Sequence, residues 1–576
     1  MLALLHLLRA VAFVGVAATP AIAGISHSHL KDELVKLNKT VGGRLYRAVP
    51  FELPCFAEYN GKAVERDDDL CEAIQENYTD PIFRVNYFGA YMMPQWETCQ
   101  VANNSGCLLD YSDPSDPLAY EDVDCELGNI PPYYIDVQSA KDVQAALTFS
   151  RLTGVRLSVK NKGHDYKGRS SGKGTLALWV TNLNSISYNP SFVPEGCAAS
   201  TTYDALTIGP GAIAESVLQY ADSINRTFIA GYHQTVGTGG GYTLGGGHSV
   251  LSPVYGLAVD RVRQMKVVTP SGQFLVANEC QNSDLFWALR GGGGSAFGVV
   301  IENTHELAPR MTLQVAYVTF TSSNVTVLAE WYDLLVNNTY HWGLEGWGGH
   351  IQGPKMIYVN PLLSNAEANS SMAEVAEFAV ALGGEAIVEE LDSYLAFFSK
   401  YVTAAEAAVA TEITLGTRLL TTDLFDSEEG RATLSKVITD VLPFASPYVV
   451  VSTPFLYNYT ANTTSVTPAW RDSLWHLSVH STWAWNSTTN DTATQYLEVS
   501  EHTQKFRDIT PGSGAYFNEG DVYEPNHTYS YWGDNYPRLL EVKKKYDPES
   551  LLDCWQCVGW KGPEDPLYQC YIWLPQ

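Results

Sequence analysis

The fold prediction starts from the stretch KNKGHDYKGRSSG, Lys160–Gly172, in which a histidine follows a glycine in a lysine-rich segment. Upstream, Tyr133–Val137 has the composition of a short strand, and Ser139 with Asp142 forms a capping-box signature that predicts a helix. Val155–Val159 then alternates apolar and polar residues, as a strand does. The chain is therefore predicted to form a β-α-β unit that ends in a glycine-bearing loop.

A loop of this kind can bind an anionic phosphate. Gly163 and Gly168 can adopt backbone conformations that other residues avoid, which lets N–H groups approach the phosphate, and Lys160 and Lys162 add positive charge. A Gly-His pair in a loop is more often a turn with a solvated histidine. This stretch alone leaves both interpretations open.

Two further glycine-rich stretches follow. Gly231–Tyr255 reads GYHQTVGTGGGYTLGGGHSVLSPVY, and its aromatic and branched residues distinguish it from a linker. Val262–Val268 and Phe274–Ala277 flank a Pro-Ser-Gly turn and predict a hairpin. Asp284–Val300, DLFWALRGGGGSAFGVV, predicts a short apolar helix, a four-glycine loop and a strand.

With these three blocks in this order, the chain resembles the vanillyl-alcohol-oxidase and berberine-bridge-enzyme superfamily of flavoproteins, within it the fungal isoamyl-alcohol-oxidase-like branch. The resemblance is strong over Pro131–Pro309 and returns at YFNEGDVYEPN, Tyr516–Asn526, and YWGDNYPRLLEVKKKYDP, Tyr531–Pro548. Met311–Gly514 matches only loosely. The resemblance implies FAD as the cofactor and a small molecule as the substrate.

In that family the two glycine-rich loops hold the FAD pyrophosphate and ring, and a histidine carries the 8α-methyl group of the isoalloxazine. The resemblance places that histidine at His164, so FAD is expected to be covalently attached there. The other FAD-binding positions that the resemblance implies are Lys160, Asn161, Lys162, Gly163, Asp165, Gly168, His233, Val236, Gly237, Thr238, Gly240, Gly241, Gly246, Gly247, His248, Val300 and Asn518.

The chain departs from the family at HQTVG, which begins at His233. Many members have a CPTVG-type motif there, whose cysteine forms a second bond to the flavin. A single attachment is therefore expected, and His233 could donate a hydrogen bond to the flavin, be structural, or be bonded itself. Val236 falls where the family often keeps a small residue that leaves oxygen a path to the flavin, which favours an oxidase.

Oxidation of a hydroxyl or amine needs a base that removes a proton while hydride leaves. The isoamyl-alcohol-like branch has a glutamate at the position of Glu519, and burial would raise its pKa; a salt bridge or cap is the structural alternative. Ser473–Trp483, SLWHLSVHSTW, alternates as a strand. Ser478 falls where related enzymes place a Glu or Gln base, so His480 on the same face is the second candidate, with a structural role as its alternative. No metal ligands are predicted.

The 576 residues exceed one ordinary core. The predicted architecture is α+β, with a two-lobe PCMH-type FAD-binding domain and a substrate domain whose antiparallel sheet is covered by helices. The expected segments are a signal peptide, 1–23; a disulfide-rich N-terminal extension, 24–125; the FAD-binding domain, 126–310; the substrate domain, 311–515; and a C-terminal segment returning to the FAD lobe, 516–576.

Several features indicate secretion. Leu2–Ala17 is apolar and precedes an A-x-A cleavage site at Ala21–Ala23, and the chain has twelve N-x-S/T sequons. The ten cysteines fit disulfides, with Cys55–Cys125 read as a stapled extension and Cys554–Cys557 as a structural disulfide rather than a metal or redox motif. A formal charge of −27 argues against nucleic acid and anionic membranes as partners, and the oligomeric state is left open.

Three functions remain. The leading one is a secreted FAD-dependent oxidase that takes hydride from an alcohol, sugar or related molecule and passes the electrons to O2, giving H2O2. The second is a secondary-metabolite tailoring enzyme that forms a double bond or closes a ring. The third is a secreted binding glycoprotein without turnover. A polar cleft with tryptophan platforms would favour sugars, whereas an apolar cleft would favour alkaloid- or polyketide-like substrates.

Overall fold

The computed structural model describes residues 27–404 and 406–574, so the expected signal peptide lies outside the described residues. None of the helices in these ranges has the length and apolarity needed to cross a bilayer. The helices are α1 (His27–Thr40), α2 (Asp68–Glu76), α3 (Pro81–Arg84), α4 (Ala140–Thr153), α5 (Ala214–Ser223), α6 (Ser252–Tyr255), α7 (Ala258–Arg261), α8 (Ser283–Leu289), α9 (Val325–Glu345), α10 (Asn365–Ser371), α11 (Ala373–Ala381), α12 (Tyr394–Phe397), α13 (Asp423–Asp426), α14 (Glu428–Val441), α15 (Thr489–Asp508), α16 (His527–Trp532) and α17 (Tyr536–Tyr546). The strands are β1 (Leu45–Arg47), β2 (Glu58–Tyr59), β3 (Asp124–Cys125), β4 (Tyr133–Asp136), β5 (Leu157–Lys160), β6 (Leu176–Trp179), β7 (Ile186–Phe192), β8 (Tyr203–Ile208), β9 (Arg226–Thr227), β10 (Val262–Val268), β11 (Phe274–Ala277), β12 (Val299–Glu306), β13 (Ala308–Pro309), β14 (Leu313–Thr319), β15 (Gly348–Gln352), β16 (Lys355–Asn360), β17 (Glu385–Leu391), β18 (Glu412–Thr421), β19 (Tyr448–Val451) and β20 (Ser473–Trp483).

The predicted β-α-β unit is confirmed. The Asp142 carboxylate accepts a hydrogen bond from the Ser139 backbone N–H at 3.0 Å, which caps α4, and Gly154 ends the helix in the left-handed conformation. Strands β4 and β5 both pair in parallel with β6, in a sheet of order β1-β4-β6-β5. The loop with His164 therefore leaves the carboxyl end of β5.

A second sheet has the order β11-β10-β12-β8-β7, with antiparallel pairing throughout. The predicted hairpin is confirmed as β10 and β11. The predicted apolar helix is α8, and the four-glycine loop joins it to β12. All three glycine-rich stretches directly precede or follow strands of these two sheets or their short helices.

The middle of the chain forms a seven-stranded antiparallel sheet of order β17-β14-β16-β15-β19-β20-β18. Helices α9, α11 and α14 cover one face, where Trp331, Val375 and Leu434 pack in one core with Val318 and Trp475 of the sheet. The α+β architecture and the helix-covered antiparallel sheet are confirmed. Edge strand β17 follows α11 in an Ala- and Glu-rich part of the chain whose composition favours helices.

The C-terminal segment packs on the second sheet. Leu539 and Val542 of α17 are buried in one core with Leu285 and Phe286 of α8, so one face of this amphipathic helix is apolar.

Disulfides tie the ends of the chain together. All ten cysteines are paired: Cys55–Cys71, Cys99–Cys570, Cys107–Cys125, Cys197–Cys280 and Cys554–Cys557. The extension is not stapled only within itself, because Cys99 bonds Cys570, 471 residues away. Two disulfides staple the extension as expected, and its odd fifth cysteine anchors the C-terminal tail.

Candidate active site

A cavity of about 440 Å³ lies where the three glycine-rich stretches meet the seven-stranded sheet and the segment Tyr516–Glu519. Most of the predicted site residues line it. They are Asn161, Lys162, Gly163, His164, Asp165, His233, Val236, Gly237, Gly240, Gly241, His248, Val300, His480, Asn518 and Glu519. Residues of the glycine-rich stretches and residues of the C-terminal segment therefore line the same cavity.

His164 lies in a tight cluster with His233 and Thr235. Its Nε2 is 2.8 Å from the Thr235 hydroxyl oxygen, which in turn is 3.2 Å from His233 Nδ1. Burial, with the neighbouring His233 and Lys162, lowers the pKa of His164 well below its usual value. Burial also lowers the pKa of His233, to about 4. Both imidazoles are therefore neutral at physiological pH. Thr235 was missed because an ordinary threonine in a loop carries no signal.

Arg169 joins the His164 loop to the C-terminal segment. Its guanidinium contacts the Asp165 carboxylate at 2.9 Å, donates to Asn518 Oδ1 at 2.8 Å, and lies 3.8 Å from the centre of the Phe517 ring. The amide of Asn518 donates to the backbone carbonyl of His164 at 3.0 Å. Arg169 was not among the predicted site residues, although its spacing of four residues from Asp165 was a usable signal.

Five predicted cofactor residues do not line the cavity: Lys160, Gly168, Thr238, Gly246 and Gly247. The Lys160 ammonium is buried and donates to the carbonyls of Phe88 and Ala90 in the N-terminal extension. The structure thus corrects the expectation that Lys160 brings charge to the cavity, and Lys162, which does line it, remains. Thr238 donates to the carbonyl of Ala212 at 3.1 Å.

Gly163 and Gly168 have the left-handed backbone that the sequence indicated, with φ of 83° and 74°. A Cβ on Gly168 would lie 2.3 Å from the ring of Trp96, which packs behind the loop. The N-terminal extension therefore shapes the His164 loop from the side opposite the cavity.

Glycines also form the cavity wall expected to hold FAD. A Cβ on Gly241 would meet no atom within 4 Å, and one on Gly294 would meet only the Cα of Gly241, at 3.7 Å. Gly237 lies so close to Asn161 that a Cβ would be 2.2 Å from the side-chain amide. Bare backbone thus lines a space that side chains would fill, which fits a large planar cofactor.

Glu519 is held between two histidines. Its Oε1 is 3.4 Å from His248 Nε2, and its Oε2 is 3.7 Å from His476 Nδ1. Burial alone would raise the pKa of the carboxyl, but the hydrogen bond from His248 and the charges of His248 and His476 outweigh it. The pKa of Glu519 lies below its ordinary value, so the predicted rise was wrong.

His480 and Ser478 line the cavity from the same face of β20, as the alternation predicted. Burial lowers the pKa of His480. His476 shares this face but is fully buried, and burial lowers its pKa to about 4.

A third polar group was missed because it lies in the part of the chain with only loose resemblance. His350 of β15 accepts or donates a hydrogen bond with the Tyr448 hydroxyl, and its ring centre is 3.5 Å from that of Tyr232. All three residues line the cavity.

Part of the cavity lining is small, branched or aromatic. Residues of this kind are Tyr232, Ala407, Ala408, Ile413, Leu415, Tyr448 and Val450. None of the described residues that line the cavity is a tryptophan.

The chain is similar to known proteins in sequence and in structure. The family described as FAD binding domain matches residues 131–278, and the family described as berberine and berberine like matches residues 515–558. The FAD-linked oxidoreductase ffsJ of Aspergillus flavipes is 39% identical, with 95% of each chain covered, and the FAD-linked oxidoreductase OXR2 of Pyricularia oryzae is 39% identical, with 93% of this chain and 92% of that one covered. The crystal structure of the VAO-type flavoprotein MtVAO615 from Myceliophthora thermophila C1 superposes with a TM-score of 0.79 at 28% identity, covering 94% of this chain and 97% of the other. Relatives of this similarity, together with the glycine-lined cavity, leave no support for a binding protein without turnover. The chain belongs to the vanillyl-alcohol-oxidase and berberine-bridge-like superfamily and is an FAD-linked oxidoreductase.

Proposed function

We propose that the protein is a secreted oxidase that takes hydride from a hydroxylated small molecule, with FAD attached covalently at His164 and O2 as the acceptor. The observation that carries this proposal is the position of His164, a neutral imidazole in the cavity wall, in the same cavity as the ionised Glu519. When bound, FAD would accept the hydride and pass the electrons to O2, which gives H2O2.

The residues that would hold FAD lie on three stretches of backbone. Gly241 and Gly294 leave room for the cofactor, Gly237 and Gly240 pack closely against Asn161, and Lys162 supplies positive charge at the cavity wall. His164 suits the covalent bond because its lowered pKa leaves an imidazole lone pair free. His233 is proposed as a neighbour that orients the Thr235 hydroxyl rather than as a second attachment point. Val236 lines the cavity and would leave O2 a path to the flavin.

Glu519 is the proposed proton acceptor for the substrate hydroxyl. It is ionised at neutral pH, and His248 holds one of its oxygens while the carboxylate still lines the cavity. A carboxylate of lowered pKa is a weaker base, but it is fully in the accepting form at neutral pH. His480, which also lines the cavity, is the second candidate for the proton acceptor.

Surface chemistry supports passage through the secretory pathway. Of the twelve sequon asparagines, ten are exposed, as glycan attachment requires, whereas Asn38 and Asn77 are half-buried. The five disulfides fit an oxidising compartment. With residues 1–23 as a signal peptide, the proposed units are 24–125, 126–310, 311–515 and 516–576.

The second candidate is a tailoring oxidoreductase of secondary metabolism. The observation that favours it is that none of the described residues lining the cavity is a tryptophan, whereas a cleft for sugars is expected to offer tryptophan platforms. Both candidates share the cofactor, the attachment and the proton acceptor. They differ in the substrate, so a panel of sugars, aliphatic alcohols and polyketide-like phenols, scored by peroxide release, separates them.

Covalent attachment is tested by acid precipitation of the purified protein, followed by visible spectroscopy and peptide mass spectrometry. We expect a yellow pellet with flavin on the peptide that contains His164. In His164→Ala protein the flavin should be released by acid, whereas the matched His233→Ala variant should keep it. Flavin that stays with acid-denatured His164→Ala protein would contradict the proposal and point to His233.

A further inference from the structure

The geometry around Glu519 points to a site for a divalent transition-metal ion: we propose that His248, His476 and Glu519 bind one Zn²⁺-like cation, with an open position toward the cavity. This inference concerns the cavity of the proposed function but does not depend on it, because metal binding needs neither flavin nor substrate. It revises the expectation, made from the sequence, that the chain has no metal ligands.

The spacings between Glu519 and the two histidines are close to those between ligands of one metal ion, and the His248–Glu519 contact is also a long hydrogen bond. Their donor atoms all lie within 4.8 Å of one another. Glu519 is 3.4 Å from one imidazole nitrogen and 3.7 Å from the other. A tetrahedral metal with bonds of about 2.0–2.2 Å holds its ligand atoms roughly 3.3–3.6 Å apart. A contact of 3.7 Å between His476 and Glu519 is too long for a hydrogen bond.

His476 provides the independent observation. It is only 1% exposed, and within the described residues neither ring nitrogen has a hydrogen-bond partner. Buried polar groups are nearly always paired, so an orphaned imidazole whose Nδ1 lies near a carboxylate calls for a partner. A cation would provide that partner.

The surroundings orient His248 as a ligand. Its Nδ1 is 3.2 Å from the hydroxyl oxygen of Ser452, a fully buried residue, and the Nε2 faces Glu519. Metal-binding histidines usually donate their second N–H to such a group, which fixes the ring and its tautomer. Two imidazoles and one carboxylate form a ligand set of the kind that catalytic zinc sites use, with the fourth position open.

His248 and Glu519 line the cavity, whereas His476 does not. An oxygen donor, either water or a hydroxyl group of the substrate, would therefore enter the open position from the cavity. A cation at this place would polarise that hydroxyl and lower its pKa. In the loaded enzyme Glu519 would be a ligand of the cation, so the proton of the polarised hydroxyl would pass to another acceptor, and His480 lines the same cavity.

The test uses the untagged, full-length, flavin-containing protein, stripped with a chelator and titrated with ZnCl2 by isothermal calorimetry. Bound zinc is counted by plasma mass spectrometry after gel filtration. We expect about one zinc per wild-type chain. Glu519→Gln and His248→Ala should weaken binding by about 100-fold or more, and Ser452→Ala by about 10- to 100-fold, the usual effect of losing a partner of a metal-bound histidine.

The matched control is His341→Ala, which removes an exposed histidine beside the Glu345 carboxylate and should bind zinc like the wild type. Zinc content at the chelator-washed background, or equal binding by wild type and Glu519→Gln, would overturn the site. Each sample is also scored for acid-stable flavin. Flavin without zinc contradicts only the metal site, and zinc without covalent flavin contradicts only the proposed function.

Discussion

At the scale of single residues, Glu519 has an electrostatic setting that its sequence neighbours do not reveal. The pKa of the carboxyl is lowered because His248 and His476 face it, and these residues come from a glycine-rich loop and from β20. Its neighbour Asn518 instead turns toward the His164 loop. Asn518 and Glu519 are adjacent in the chain, yet the first contacts the His164 loop and the second contacts His248 and His476.

Substituting Glu519→Gln should remove the proton acceptor while leaving the shape of the cavity unchanged. We expect flavin reduction by substrate to slow by about 10²- to 10⁴-fold, the usual contribution of a general base. In the wild type, the rate of reduction should fall only as pH drops through the lowered pKa of Glu519, below the ordinary glutamate range. Stopped-flow absorbance across pH measures both effects.

His480→Gln serves as the control for this prediction, because its side chain also lines the cavity. The acid limb of the profile should persist in this variant and be absent in Glu519→Gln. An unchanged reduction rate in Glu519→Gln would exclude Glu519 as the acceptor, and a large loss in His480→Gln alone would assign the role to His480.

How far residue roles could be predicted depended on where their partners lie in the chain. The location of His164 and Asn518 in the cavity could be predicted because they belong to motifs that resemble a known family. The pKa direction of Glu519 could not, since it depends on residues 271 and 43 positions away. The same holds for Lys160, whose ammonium is taken by carbonyls of the N-terminal extension.

At the scale of elements, β18 begins at a buried carboxyl group. Glu412 is 2% exposed, and neither of its oxygens has a hydrogen-bond partner within the described residues. Burial raises the pKa of Glu412 to about 8. The group therefore keeps its proton in the folded protein at pH values where the unfolded chain loses it.

This difference in proton binding should make stability depend on pH. The folded state binds more protons than the unfolded state between the ordinary glutamate pKa and about 8, so the free energy of unfolding should decrease as pH rises through that window. Glu412→Gln removes the titrating group, and its advantage in melting temperature over wild type should grow from pH 5 to pH 8. At about 1.36 kcal/mol for each pKa unit, the effect is on the order of several kcal/mol.

The exposed Glu428, at the start of α14, provides the control, because Glu428→Gln should leave the pH dependence unchanged. Parallel melting curves of wild type and Glu412→Gln at all pH values would show that Glu412 does not titrate in this window.

Whether an element could be predicted depended on whether its sequence signal lies within the element itself. The β-α-β unit, the hairpin and the strand Ser473–Trp483 were predicted because caps, turns and alternation are local patterns. Strand β17 was missed because its edge position leaves it half-exposed, and its sequence EAIVEEL lies in an Ala- and Glu-rich region that favours helices. Pairing with β14 decides its conformation.

At the scale of the whole molecule, the disulfide Cys99–Cys570 fixes the C-terminal tail beneath the His164 loop. Tyr571, next to Cys570, donates a hydrogen bond to the carbonyl of Lys167 at 2.6 Å. Its ring packs against Trp96, with the two ring centres 4.9 Å apart. The tail and the N-terminal extension therefore support the same loop.

Replacing Cys99 and Cys570 together by Ser should destabilise the protein by about 2–5 kcal/mol. It should also lower the fraction of chains with acid-stable flavin, because the loop loses its support. Thermal melts and the absorbance of acid-washed pellets measure the two effects. The control is the Cys197→Ser, Cys280→Ser pair, which should destabilise the fold without lowering flavin attachment. Equal attachment in both double variants would contradict this role of the tail.

The contact between Arg169 and Asn518 has a consequence for when the enzyme matures. The His164 loop is synthesised early, but Asn518, which bonds both Arg169 and the His164 carbonyl, leaves the ribosome only after nine-tenths of the chain. The loop cannot reach its final shape on the nascent chain. Cofactor attachment should therefore be a late, post-translational event, and truncated or stalled chains should remain colourless even though they contain the histidine.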